Sequence, residues 1–248
     1  MAEKITYEHP INERIRIFLK LEYLFDHISF DNPLSSLVNI LQISEISKRF
    51  DLRFECLQSL DRIHLNLVQL QKDGSNIDLQ KLDETKLNIE KQINILKSGK
   101  GKFGEYIIQN EALNNIISKH NSPGGIITNE LPYLKFWMQK PSDIKVNELV
   151  AMHKEFEPLR HAIMTILGFI RSSRSPKREN CQNGTFSKML DNNRIQLIRV
   201  SLSKELNTYP EISGNSKFIS IRFLTKELLK DKPITIKSSF DFDVFYCF

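Results

Sequence analysis

The spacing of apolar residues changes along this chain, and that change constrains the fold more than any other feature of the sequence. Over the first 120 residues apolar side chains recur every three or four positions, as at Ile11, Ile15 and Phe18, which predicts amphipathic helices. From about residue 175 apolar and polar residues alternate, most clearly over 240–246, which predicts half-buried strands. Helices followed by strands indicate an α+β fold and not a series of βαβ units.

The same pattern predicts two domains. The helical spacing runs over 8–122 and predicts a mainly helical domain, on which the later helical stretch 142–173 is expected to pack. Residues 126–140 follow a Pro-Gly-Gly turn and are rich in aromatic and β-branched side chains, so they predict strands. Together with 184–248 they predict a C-terminal, mainly antiparallel β domain, against which the helical domain packs. Residues 2–7 are a further candidate strand of that domain.

Positive charge is concentrated in the last third of the chain. Residues 1–170 contain 21 Lys+Arg and 22 Asp+Glu, whereas residues 171–248 contain 14 and 8. Such a division indicates an anionic partner, for which nucleic acid, a membrane surface and an acidic protein segment are the candidates. Four cations lie within Arg171–Arg178. Pro176 and the neighbouring serines favour a basic linker over 171–183, and a phosphate-contacting loop is the alternative.

The sequence provides no positive argument for an enzyme, a metal site or a cofactor. Its three cysteines are far apart and odd in number, and its six histidines form no HExxH motif. The sequence contains neither a Gly-x-Ser-x-Gly elbow nor a dinucleotide-binding glycine motif. It also lacks a stretch of eighteen apolar residues and an apolar N-terminal segment, so we expect a cytoplasmic protein without membrane partners.

One face of the predicted sheet is a candidate binding surface. Strand alternation would place Tyr133, Lys135 and Trp137 on one side, and would direct Arg199 and Arg222 outward from their own strands. Cations interleaved with aromatic rings suit an extended peptide with acidic and apolar side chains, or single-stranded nucleic acid. A sheet face covered by a helix would explain the same pattern equally well.

Three collinear stretches resemble a known family. They are YEHPINER from residue 7, PGG at 123–125 with LPYLKFW at 131–137, and YPEISG at 209–214 with IRF at 221–223. Together they are similar to the motifs of the ZapD (YacF) family of bacterial cell-division proteins, and they extend over nearly the whole chain.

This resemblance implies a non-enzymatic cell-division factor that binds the C-terminal tail of FtsZ, the tubulin-like protein whose filaments assemble at mid-cell. It implies a symmetric homodimer that cross-links and bundles these filaments, and so stabilises the Z-ring during septum formation. It also implies a basic pocket between the two domains, where Lys20, Lys135 and Arg222 stand at matching positions with Arg199 and Lys217 nearby. A nucleic-acid-binding protein that uses the basic C-terminal third remains the alternative.

Overall fold

Helices form most of the chain up to residue 172 and antiparallel strands form most of the remainder, which confirms the predicted α+β class. The computed structural model describes residues 3–72, 78–190, 194–226 and 232–248. Small parts of the predicted segments 2–7 and 184–248 lie outside the described residues, namely residues 2, 191–193 and 227–231. The chain forms two compact units, which we call the β unit (Met1–Ile17 with Leu167–Phe248) and the helical unit (Phe18–Ile166).

Nine α-helices lie within the described residues. They are α1 (Glu13–Asp26), α2 (Pro33–Arg49), α3 (Leu52–Lys72), α4 (Leu79–Ser98), α5 (Glu105–Gln109), α6 (Glu111–His120), α7 (Pro132–Met138), α8 (Ser142–Lys154) and α9 (Glu157–Ser172). The boundaries between the two units fall inside α1 and α9. Within the described residues, no helix is long and apolar enough to cross a bilayer.

Local capping chemistry starts several of these helices. The Asn32 side chain accepts a hydrogen bond from the Ser35 N–H at 3.2 Å, and Pro33 occupies the first position of α2. Asp78 caps α4 in the same way, through the Lys81 N–H at 3.1 Å. The apolar stripes of these helices then face inward and bury the largest side chains of the helical unit. These include Phe18, Leu21, Ile40, Leu41, Leu60, Ile89 and Leu96, and Phe156 from the turn between α8 and α9 is buried with them.

The β unit consists of two antiparallel sheets. Its strands are β1 (Lys4–Pro10), β2 (Lys177–Cys181), β3 (Thr185–Met189), β4 (Leu197–Ser203), β5 (Tyr209–Gly214), β6 (Phe218–Thr225), β7 (Ile234–Thr235) and β8 (Phe240–Cys247). The first sheet has the order β1-β4-β8-β2. The second has the order β3-β6-β5, and β7 also pairs with β6. The predicted strand segment 2–7 therefore corresponds to β1, which pairs with β4 along its whole length.

The two sheets pack face to face as a sandwich. Phe223 of the second sheet contacts Phe240 and Phe242 of the first, with 4.9 Å between ring centroids in each pair. Phe186 meets Phe242 at 5.2 Å. Alternate residues of the central strands complete this core, namely Ile198, Val200, Leu202, Ile219, Ile221 and Val244. Residues between them point to the outer faces, where those of the first sheet include the buried Leu197, Ser201 and Cys247.

The prediction of strands at 126–140 is wrong. Pro132–Met138 forms helix α7, preceded by a single 3₁₀ turn at Thr128–Glu130. The apolar residues of this segment fit either period, because Leu134 is followed by an apolar residue both two and three positions later. The structure buries Leu134 and Trp137, which are three residues apart, and leaves Phe136 62% exposed. The buried residues of this segment therefore follow the helical period, and Pro132 occupies the first position of the helix.

The predicted basic linker at 171–183 is also largely structured. Its first two residues complete α9, and Lys177–Cys181 forms β2, which pairs with β8. The preceding helical stretch, predicted over 142–173, is divided into α8 and α9. Pro158 lies in the first turn of α9, where the missing N–H is tolerated.

The helical assignment of α7 can be tested by two truncations. Leu134→Ala should lower the free energy of unfolding by about 2–5 kcal/mol, because it leaves a cavity at a fully buried site. The control Phe136→Ala should change it by no more than about 0.5 kcal/mol. Urea denaturation of both variants measures the difference. Equal losses would contradict the helix, because a strand would place both side chains on one face.

Candidate functional site

A cleft of about 350 Å³ lies in the β unit between β2, an edge strand of the first sheet, and β3, an edge strand of the second. Its lining residues are Arg174, Ser175, Lys177, Lys188, Met189, Leu190, Ile195, Tyr246 and Phe248. Leu190, Ile195 and Tyr246 are buried and form an apolar floor, whereas Arg174, Lys177 and Met189 are exposed. The cleft therefore combines a cationic rim with an apolar and aromatic interior.

The turn between β2 and β3 lies at the other end of both strands from this cleft. Gln182 pairs with Thr185, and the chain then passes from the first sheet to the second. Gly184 has a φ of +70°, and a Cβ there would approach the backbone oxygen of Ile236 to 2.1 Å, so only glycine fits this turn. Because β2 and β3 belong to different sheets, they leave the interior accessible from this side.

The cations of the cleft lie against aromatic rings. The Arg174 guanidinium is 4.3 Å from the centroid of the Phe248 ring, and the ammonium groups of Lys177 and Lys188 are 5.9 and 5.6 Å from that of Tyr246. Lys188 also forms an ion pair with Glu179, with 2.5 Å between Nζ and Oε1. Burial raises the pKa of the Tyr246 phenol, which stays neutral.

Arg174 and Lys177 form no ion pair with any described residue. Their charges are thus free to meet a ligand at the mouth of the cleft. An acidic side chain can pair with either cation, while an apolar side chain can enter towards Tyr246. This combination suits a short peptide that carries both types of residue.

On the outer face of the first sheet, by contrast, the arginines form ion pairs with other residues of the protein. Arg171 binds the Glu8 carboxylate with two nitrogens, at 2.7 and 2.8 Å, and Arg199 Nε lies 3.0 Å from the same carboxylate. Arg199 also donates to the backbone oxygen of Arg171 at 3.2 Å. The side chains of Glu8 and Arg199 are only 20% and 22% exposed. Arg199 therefore has a structural partner and little surface to offer.

A second ion-paired group lies further along the same face. The Asp243 carboxylate accepts hydrogen bonds from Lys4 Nζ at 2.6 Å and from Arg178 Nη1 at 3.2 Å. These contacts hold the pKa of the Asp243 carboxyl below its ordinary value, with Lys4 as the stronger cause. Much of the positive charge that the sequence concentrates in this part of the chain is thus neutralised within the fold.

The predicted single face that carries Arg199 and Arg222 is wrong. Arg199 lies on the outer face of the first sheet and Arg222 on the outer face of the second, because their strands belong to different sheets. Arg222 is exposed, as predicted, and pairs with Glu211 of the neighbouring strand β5. Lys217 is exposed in the turn between β5 and β6.

The other predicted residues belong to the helical unit. Tyr133 and Lys135 are exposed on α7, where Lys135 Nζ lies 3.3 Å from Asn129 Oδ1. Lys20 is exposed on α1. Trp137 is 3% exposed and its indole N–H donates to Glu148 Oε2 at 2.6 Å. The assignment of Trp137 to a binding surface is therefore wrong, because its ring is buried and its polar atom already has a partner.

The sequence marks part of the cleft, but not as a cleft. Arg174 and Lys177 lie in the basic segment from Arg171 to Arg178, whose proline and serines favour a linker. Their aromatic neighbours, Tyr246 and Phe248, are about seventy residues later in the chain. The sequence offered no signal for that contact beyond the alternation of β8, which places Tyr246 inward.

A family profile and several curated proteins that match this chain carry the same family name. The sequence profile of the family described as "ZapD: Cell division protein" matches residues 16–222. Among curated proteins, the "Cell division protein ZapD" of Dechloromonas aromatica is 31% identical over 98% of this chain and 99% of its own length. The protein of the same name from Coxiella burnetii is 34% identical over 90% of each chain, and that of Methylococcus capsulatus is 29% identical over 100% and 99%.

The structural role of Arg199 can be measured directly. Arg199→Glu would place a second carboxylate beside Glu8 in a largely buried position, and should lower the free energy of unfolding by about 2–4 kcal/mol. The exposed Lys217→Glu is the matched charge reversal and should change it by no more than about 0.5 kcal/mol. Urea denaturation compares the two. Unchanged stability in Arg199→Glu would show that Arg199 is not needed for packing.

Proposed function

This chain belongs to the ZapD family of cell division proteins, and from that membership we propose that it binds the C-terminal tail of FtsZ. As a homodimer it would hold two tails from different filaments, and so cross-link and bundle FtsZ at the mid-cell division site. It would do so in the cytoplasm as a binding protein, without catalysing a reaction and without a cofactor. Cross-linking needs at least two tail sites for each particle, which a symmetric dimer provides.

The observation that carries this proposal is the cleft between β2 and β3. Its rim offers Arg174 and Lys177, which have no ion-pair partner in the described part of the chain, and its floor offers Tyr246. A flexible tail with acidic and apolar residues matches both features, since charge would steer its approach and apolar burial would supply most of its affinity. Each contact can be weak, because linked sites on a polymer raise avidity by about 100-fold or more when geometry permits.

The alternative of nucleic-acid binding receives less support from the charge distribution. Lys4, Arg171, Arg178 and Arg199 all form ion pairs across the outer face of the first sheet. A nucleic-acid site needs a row of cations that can replace the counterions of successive phosphates. Binding of a single-stranded oligonucleotide at physiological salt, together with no binding of FtsZ, would favour the alternative.

Exposed aliphatic residues of the helical unit support self-association. Helices α3 and α4 form an antiparallel pair, in which His64 contacts Glu90 and Gln71 contacts Asp83. The pair exposes five large aliphatic side chains by 42–67%, namely Leu65, Leu70, Leu79, Leu87 and Ile95. Several large apolar side chains exposed on one hairpin commonly mark an interface between proteins. We therefore propose this helix pair as the homodimer contact.

Binding to the FtsZ tail can be tested by co-sedimentation. The chain should pellet with FtsZ filaments and bundle them, and both effects should be lost with FtsZ that lacks its C-terminal tail. The double variant Arg174→Glu/Lys177→Glu should reduce tail affinity by about tenfold or more, because two exposed cations of the rim become repulsive. Equal pelleting with full-length and tail-less FtsZ would contradict the proposal.

A second charge-reversal variant identifies the surface that the tail uses. Arg222→Glu alters a residue that the family resemblance assigns to the tail pocket, but whose charge is already paired with Glu211. We expect it to weaken bundling less than the cleft variant, with both variants as stable as the unmodified protein. Loss of bundling in Arg222→Glu alone would move the tail site to the outer face of the second sheet.

The dimer contact can be tested by light scattering. Leu65→Lys/Leu87→Lys should shift the particle mass from twice the chain mass towards the single chain of 29.0 kDa, because two charges would have to be buried in the interface. Ile127→Lys introduces a charge at another exposed aliphatic residue of the helical unit and should leave the mass unchanged. A dimeric Leu65→Lys/Leu87→Lys variant would exclude this helix pair as the contact.

A further inference from the structure

Helix α9 crosses the boundary between the helical unit and the β unit without a break. The boundary lies between Ile166 and Leu167, inside the 16 residues of α9. Gly168, the next residue, is the only glycine inside a helix among the residues that the structure describes. Glycine at such a position lowers the equilibrium constant for helix formation by about fivefold relative to alanine. The interior residue of α9 with the lowest helix propensity therefore lies at the unit boundary.

Neither packing nor backbone conformation requires glycine at this position. A Cβ atom at Gly168 would meet no heavy atom within 4 Å apart from its chain neighbours and the backbone of its own helix. The residue is exposed, and its φ is not positive. Alanine would therefore fit without strain and would hold the helical conformation more firmly. What glycine adds is the freedom of the backbone to leave that conformation.

Serine side chains loosen the turn that follows. Ser172 Oγ donates to the Gly168 C=O at 2.9 Å and also lies 3.2 Å from the Phe169 C=O. Ser173 Oγ donates to the Ile170 C=O at 2.7 Å. A serine hydroxyl that shares the carbonyl oxygens of a helix offers them an alternative bond and favours bending of the helix. Glycine combined with serine is also one of the recognised causes of a helix kink.

The segments on either side of Gly168 are anchored to different units. Before it, Thr165 Oγ1 accepts a hydrogen bond from the Gln92 side chain of α4 at 2.9 Å, within the helical unit. After it, Arg171 binds the Glu8 carboxylate of β1 with two nitrogens, within the β unit. Any bending of α9 is therefore concentrated between these two anchors, where Gly168 lies.

The other helix that crosses the boundary, α1, can follow such a bend. Its boundary lies between Ile17 and Phe18, so little more than its first turn belongs to the β unit. Arg14 holds this turn there, since its Nη2 donates to Gln196 Oε1 at 2.8 Å. Helix α1 contains neither glycine nor proline, and a helix of this kind can curve gently without losing its hydrogen bonds. We therefore expect a smooth curve in α1 and a localised bend in α9.

We propose that Gly168 is a hinge in α9, through which the β unit and the helical unit change their relative orientation in solution. The backbone of Gly168 leaves and regains the helical conformation while the anchors on both sides stay bound. The motion belongs to the microsecond-to-millisecond range that is typical of hinges. This inference goes beyond the proposed function, because it concerns the free protein and depends neither on FtsZ nor on the place where a partner binds.

The hinge can be tested by measuring the distance between two spin labels in the full-length protein. Cysteines introduced at the exposed Val150 and Ser187 place one label on each unit, and the three native cysteines are buried. Dilution with excess unlabelled chain restricts the signal to pairs within one chain. The unmodified hinge should give a broad distance distribution. Gly168→Ala should narrow it to about half that width, because alanine lowers the bent population about fivefold.

Two further variants show whether the effect belongs to the boundary. Ala151→Gly is the matched control, since it introduces a glycine at an exposed position of α8, inside the helical unit. It should lower the thermal stability slightly and leave the distance distribution unchanged. Ser172→Ala removes the hydroxyl that competes for the Gly168 carbonyl, and should narrow the distribution less than Gly168→Ala does.

Amide hydrogen exchange measures the same opening without labels. In Gly168→Ala the amides of residues 169–172 should exchange about fivefold more slowly than in the unmodified protein. The amide of Ile163, which lies earlier in α9 and is fully buried, should exchange at an unchanged rate. Equal exchange of residues 169–172 in both proteins would contradict a hinge at this point.

Two other results would overturn the proposal. A narrow distance distribution in the unmodified chain, or equal widths with and without Gly168→Ala, would show that α9 does not bend at Gly168. A lower particle mass of Gly168→Ala in light scattering would show that the glycine serves a contact with a second copy and not a hinge. None of these measurements uses FtsZ, so the proposed tail binding stands or falls separately.

Discussion

The packing of Phe223 against Phe240 and Phe242 joins the two sheets of the β unit, and the placement of charge in that unit depends on it. Aromatic rings at this spacing exclude water and require an apolar lining on both inner faces. Charged side chains must therefore lie on the outer faces or at an open edge. Arg199 and Arg222 are consequently separated by the full thickness of the sandwich, although both follow the same alternation in sequence.

The cations of the β unit consequently fall into two groups, those in structural ion pairs and those at the mouth of the cleft. On the outer face of the first sheet, Arg171 and Arg199 share the Glu8 carboxylate in a largely buried arrangement that stabilises the pairing of β1 with β4. At the open edge, Arg174 and Lys177 lie on aromatic rings without an acidic partner among the described residues. Net charge alone does not distinguish these tasks, because a paired cation contributes little field to an approaching ligand.

The two units support the proposed activity in different ways. The β unit offers a cleft with a cationic rim and an apolar floor, the features that the proposed binding of an acidic and apolar tail requires. The helical unit exposes aliphatic side chains on α3 and α4, the contact that is proposed for a second copy. Weak peptide binding at each of two equivalent sites is sufficient for bundling, because a filament presents many tails at high local concentration.

Local signals in the sequence determined the α+β class, helix starts such as Asn32-Pro33, and the inward residues of β6 and β8, because capping and periodicity act over a few residues. They could not show that α7 is a helix, because Leu134 fits either period. They also could not show that Arg199 and Arg222 lie on two different sheets. They also missed the contact of Lys177 with Tyr246. Only the tertiary structure decided these points, since strand order and long-range packing bring together residues that the periodicity of either segment does not relate.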